Sequence, residues 1–195
     1  MRLRARSGLI ACMAAVMVML AAAGAASAYD FTAISLGPLT ISGGGLTISC
    51  PAALSGTIDD FVPLPITGNQ IGEVDGATIG PCNNGFVTVT PLSLPSWPID
   101  GNIVLGDLPA PTGILGDLEP VQIEVTVLNT TCLYIGDLPL LFPIVALPNG
   151  DFGWGLVRLL SNGLVLLIAR GALCPQRIGV AGEFAMTPLT PITIT

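Results

Sequence analysis

Six acids fall in close pairs along the chain: Asp59 with Asp60, Glu73 with Asp75, and Glu119 with Glu124. Two carboxylates facing one cleft are the minimum equipment of a glycosidase or an aspartic peptidase, one group passing a proton while the other attacks or activates water. That is the one enzymatic option the composition permits. The absence of histidine removes the usual general base, and with it Ser-His-Asp and Cys-His hydrolysis. The absence of lysine removes Schiff-base chemistry and the Ser-Lys dyad. No Gly-x-Ser-x-Gly elbow, phosphate loop or Asp-Thr-Gly motif occurs, and aromatic residues are few for a sugar cleft. A non-catalytic protein is therefore expected, and a carboxylate-dependent hydrolase is the weaker alternative.

Cysteine is the next reactive type. Cys12 lies in the apolar N-terminal segment, which leaves Cys50, Cys82, Cys132 and Cys174. Four cysteines in an exported chain imply two disulfides with three possible connectivities. The pairing Cys50–Cys82 with Cys132–Cys174 is preferred, because each bond then staples one half of the chain and neither crosses the proline-rich middle. A zinc site is not expected, since no C-x-x-C pair and no histidine are present. The echo Gly106-Asp107-Leu108, Gly116-Asp117-Leu118 and Gly136-Asp137-Leu138 reads as repeated turn chemistry, with Asp bonding its own backbone. Calcium is the minor alternative there, without EF-hand or nonapeptide spacing to support it, so no cofactor is expected. Trp97 and Trp154 are the two largest aromatics. Each either fills a core position or serves as a contact residue for an apolar ligand or a neighbouring subunit.

The elements that must carry these residues begin after a leader. Arg2, Arg4 and Arg6 form a basic region, Leu9 to Ala22 is almost wholly apolar, and Ala26-Ser27-Ala28 is a small-x-small site. These are the three parts of a secretory signal peptide, so residues 1–28 are expected to be removed and 29–195 to form a single domain, without an integral membrane span. Leu9-Ile10-Ala11-Cys12 precedes most of the apolar run, so it does not serve as a lipobox. The chain after residue 28 keeps three arginines, Arg158, Arg170 and Arg177, against 13 acids, a net charge of −10. Nucleic acid is excluded as a partner by this balance, and anionic membrane surfaces are disfavoured.

Short alternating runs punctuated by Gly and Pro dominate the domain. Leu46-Thr47-Ile48-Ser49-Cys50 should aim Leu46, Ile48 and Cys50 inward, and Gly43-Gly44-Gly45 before it predicts a hairpin with Leu39–Ser42. Asp75-Gly76 predicts a turn. The N-terminal half runs over 29–90. The middle, 91–120, reads as edge segments and loops, because proline is confined to edges, bulges and turns. The C-terminal half, 121–195, opens on Val121-Gln122-Ile123-Glu124-Val125-Thr126-Val127, whose strict alternation predicts one buried and one wet face. Gly155 to Leu173 admits a helix by leucine content, but Ser161-Asn162-Gly163 at its centre favours a hairpin with either covered faces or an exposed greasy patch. Arg177–Met186 and Pro191–Thr195 read as two further strands. The extended segments Phe31–Ser35 and Pro191–Thr195 are candidates for adding to the sheet of another copy.

Ile48-Ser49-Cys50 with Leu54-x-Gly56-Thr57, Ala77-Thr78-Ile79-Gly80-x-Cys82, Leu94-Pro95-x-Trp97 and Cys132-x-Tyr134-x-Gly136 together resemble a group of small exported bacterial β-proteins that includes the PraB-type activators of alkane oxidation. The likeness covers about residues 31 to 140. It implies an extracellular or surface-associated protein linked to biofilm matrix or hydrophobic substrates, with no catalytic residues to transfer. The expected fold is all-β, an antiparallel β-sandwich of Ig-like or Greek-key type with two disulfides, a β-barrel being the alternative. The expected role is structural or adhesive at the cell surface or in the matrix, with itself or other matrix components as partners and self-assembly by strand addition. Binding of an apolar small molecule or lipid is the alternative.

Overall fold

A computed structural model describes residues 28–59, 61–62, 64, 66–92, 96–107, 111–147, 152–171 and 173–194. All but the last residue of the expected leader, and Asp60 of the first acid pair, lie outside them. The fold is all-β, with 79% strand and no helix, so the leucine-rich stretch is not helical. Its strands are β1 (Ala28–Ser35), β2 (Leu39–Gly43), β3 (Leu46–Cys50), β4 (Ala52–Asp59), β5 (Phe61–Val62), β6 (Asn69–Ile79), β7 (Val87–Pro91), β8 (Trp97–Leu105), β9 (Gly113–Val127), β10 (Thr130–Ala146), β11 (Phe152–Arg170) and β12 (Arg177–Ile194). All pair antiparallel except the short β5–β12 ladder.

The four long strands β9 to β12 form an up-and-down spine whose two ends are finished differently. At one end β9 pairs with β8, and the path β8-β6-β4-β1 returns to β12, so the ladders close a circuit. At the other end β9 pairs with β7, while β12 pairs with β2, which carries β3 as a hairpin. This half is open, with β3 and β7 as its edges. Gly44 (φ +58°) and Gly45 (φ +83°) make the two-residue β2–β3 turn, a conformation that L side chains resist. Alternation works as expected in β9, where Val121, Ile123 and Val125 are buried and Gln122, Glu124 and Thr126 are half-buried on the outer face. The inner faces meet in one continuous apolar core.

Both disulfides have the expected connectivity, Cys50–Cys82 and Cys132–Cys174. Cys50–Cys82 ties the end of the edge strand β3 to the β6–β7 connection. Around it Gly80 N–H donates to Pro51 O (2.8 Å), Asn83 N–H to Ser49 O (2.8 Å), and Ser49 N–H to Asn83 Oδ1 (3.1 Å).

Several local expectations give way. Ser161-Asn162-Gly163 is no hairpin: β11 runs straight through, and its register against β12 slips between Leu159 and Asn162, as a β-bulge does. Asp75-Gly76 likewise marks a bulge of β6 against β4. The Gly-Asp-Leu segments at 116–118 and 136–138 are strand, in β9 and β10, not turns. β8, whose one proline is Pro98, is an interior strand flanked by β6 and β9 rather than an edge. Arg177–Ile194 is one strand, not two. Phe31–Ser35 pairs on both sides, with β4 and β12. Pro191–Ile194 is likewise engaged, with β11 and β5, so neither segment is free to join another sheet.

Candidate functional site

Asp60 of the first acid pair lies outside the described residues, and the members of the second pair point to separate partners. Glu73 accepts from Ser96 Oγ (3.0 Å) and Asp75 from Ser55 Oγ (3.0 Å), each in a separate local contact. The structure instead gathers a different set on the outer face of β8, β9 and β10. Asp100 and Asp117 are register partners, and Asn102 Nδ2 donates to Asp117 Oδ2. Burial raises the pKa of Glu119 above the ordinary carboxylate value, and the like charges of Asp137, Asp117 and Asp100 raise it further. Among the described residues no group of three or more His, Cys, Asp and Glu is placed to hold a metal ion.

Trp97 and Trp154 are buried, so neither offers a surface contact. Trp154 packs edge-to-face on Phe142, ring centroids 5.2 Å apart. Both indole N–H groups are buried without a hydrogen-bond partner. Trp97 lines a small inner cavity of about 30 Å³, walled by apolar side chains such as Leu54, Ile79 and Phe184. A shallow groove of about 550 Å³ lies beside Leu36–Pro38, where Arg158 and Glu183 form an ion pair of 3.1 Å.

The arrangement that stands out is the tip of the open half. The β2–β3 turn places Leu46 in solvent, not inward as its alternation suggested, because the strand has left the core by that point. Asn84 Oδ1 accepts from Phe86 N–H (3.1 Å), an Asx turn that presents Phe86 at 71% exposure. Leu128, in the β9–β10 turn, has φ +54° and is 64% exposed. A left-handed conformation costs an L residue roughly 1–2 kcal/mol, and turns normally use Gly or Asn there. The β11–β12 connection, tied to β10 by Cys132–Cys174, holds Pro175 over Gly43 and Gly44 and leaves Leu173 67% exposed.

Behind these tips lies a cavity of about 60 Å³ lined by Ile41, Ile48, Val125, Val127, Tyr134 and Leu173, among others. Burial raises the pKa of the Tyr134 hydroxyl. Outside the cavity, the greasy patch anticipated on the leucine-rich stretch is real: Val165, Leu167 and Ile168 of β11 are exposed. The sequence pattern assigns Leu46 to the wrong face and gives no special place to Phe86, Leu128 and Leu173. The one signal was an apolar residue in the turn Val127-Leu128-Asn129-Thr130, where polar turn chemistry is the rule.

Comparison with protein-family models, with curated proteins and with solved structures finds no match for the chain.

Proposed function

We propose that the chain is an exported, non-catalytic β-protein of the cell surface or extracellular matrix, structural or adhesive in role, and that the apolar tip of its open half is the working surface. The observation that carries this reading is the exposure of Phe86, Leu128 and Leu173 on three separate loops of one end. Singly exposed apolar residues are ordinary, but a cluster on one end marks an interaction site. Two disulfides suit an oxidising, extracellular type of compartment. The likeness to the PraB-type proteins, with their link to matrix and hydrophobic substrates, agrees with this role.

Retention of the folded chain on alkyl-coated beads, together with sedimentation velocity over a range of concentrations, tests the proposal. Retention or concentration-dependent association is expected, and the double substitution Phe86→Ser, Leu128→Gly should abolish it. A chain that is monomeric throughout and ignores the beads would refute the reading. A second reading, an apolar ligand held inside, draws on the two apolar cavities. Mass spectrometry of an organic extract of the native protein checks it, and a clean extract counts against it.

A further inference from the structure

Net charge alone argues against an anionic surface as partner, yet the charge is segregated along the chain. The segments that meet at the tip of the open half, residues 36–50, 80–92, 125–136 and 159–182, contain no Asp or Glu, and the acid that comes nearest along β9 is Glu124, opposite Thr90 in the β7–β9 ladder. They contain Arg170 and Arg177. Arg170 is the register partner of Thr131, beside the β9–β10 turn, and Arg177 that of Val165. Both are exposed, and neither takes part in an ion pair among the described residues. The remaining arginine after residue 28, Arg158, is bonded to Glu183 away from the tip. The molecule is thus an acidic body with an apolar, acid-free end whose only charges are cationic. Clustered apolar loop tips rimmed by arginine are the arrangement that lies in a lipid interface, with apolar groups entering the acyl boundary and cations meeting headgroups.

We infer that this end docks on an anionic lipid surface, with Phe86, Leu128 and Leu173 entering the acyl boundary and Arg170 and Arg177 meeting headgroup phosphates. The inference rests on the reading of the tip as the working surface and names its partner. The strained turn supports it: Leu128 holds a conformation that Gly would adopt without cost, so the side chain there works against stability.

Cosedimentation of the disulfide-intact chain with vesicles tests it, one set of phosphatidylcholine alone and one containing a third phosphatidylglycerol. Binding to the anionic vesicles is expected, weakening as salt is added. Arg170→Gln and Arg177→Gln should each weaken it about fivefold, whereas Arg158→Gln should not. Leu128→Gly should weaken binding roughly tenfold while leaving thermal stability equal or higher, which separates lost docking from lost folding. Equal binding to both vesicle types, or an Arg158→Gln loss as large as that of Arg170→Gln, would overturn the inference. Failure to bind either vesicle, with self-association that Leu128→Gly abolishes, would overturn the lipid partner and leave the working surface standing. Failure of both would remove the two together.

Discussion

Cys50, the last residue of β3, is bonded to Cys82 at a Cα–Cα separation of 4.1 Å, and the bond ties that edge strand to the connection that leads into β7, the other edge of the open half. Covalent closure here stands in for a missing ladder. The two disulfides enclose loops of similar length, 32 and 42 residues apart in sequence, so the chain-entropy model assigns each about 4 kcal/mol. Paired Cys→Ala variants should each lose about that much in urea unfolding. Hydrogen exchange should separate them: loss of Cys50–Cys82 exposes β3 and β7, and loss of Cys132–Cys174 exposes the β11–β12 connection. Identical exchange patterns in the two variants would contradict this division.

Trp154 is fully buried against Phe142, and its indole N–H has no partner. Its value lies in volume rather than in hydrogen bonding. Trp154→Ala should cost about 3–5 kcal/mol, and Trp154→Phe less than about 1.5 kcal/mol. Denaturant midpoints measure both, and equal losses would show that the N–H matters after all.

A side chain at Gly56 has nowhere to go. A Cβ there would lie 2.0 Å from the carbonyl oxygen of Glu73 and 2.9 Å from the Cα of Val74, both backbone atoms of the adjacent strand. Gly56→Ala must force β4 and β6 apart and should destabilise by about 3 kcal/mol or more. Gly37, with no atom within 4 Å of its Cβ position, should accept Ala within about 0.5 kcal/mol. Melting both variants beside the parent checks the contrast.

Glu119 makes stability depend on pH with a definite sign. Its folded pKa is raised, so the folded chain holds that proton to higher pH than the unfolded chain, whose value lies near 4.5. The contribution is fully present below that value and is lost as pH rises through the higher folded one. Glu119→Gln should therefore stabilise at neutral pH, by no more than about 0.5 kcal/mol for a surface site. The gain should vanish in acid and shrink in high salt. Urea midpoints at neutral and acid pH decide it, and a larger gain in acid would reverse the argument.

What the sequence made legible was periodicity and covalent chemistry. The alternation from Val121 to Val127 and the glycine turn before Leu46 appear in the structure as read, and so does the cysteine pairing. Asp75-Gly76 and Ser161-Asn162-Gly163 misled for a common reason. Both are strong local turn formers, but each lies in a long strand with a ladder already on its flank, and the chain absorbs the extra residue as a bulge instead of reversing. The tip of the open half was hidden differently. Leu46, Phe86, Leu128 and Leu173 are far apart in sequence, and their meeting depends on ladders that no local pattern encodes. The segregation of acids was present in the sequence throughout, yet it acquires a direction only once those four segments share an end.

β12 makes ladders with β11, β1, β2 and β5. A polypeptide emerging from the ribosome N-terminus first would have β1, β2 and β11 each waiting for a second partner until Arg177–Ile194 follows. Such distant pairings are slow to form, and the early segments cannot settle by themselves. The strand order therefore acts as a timer that holds back completion of the sheet until nearly the whole domain has been made.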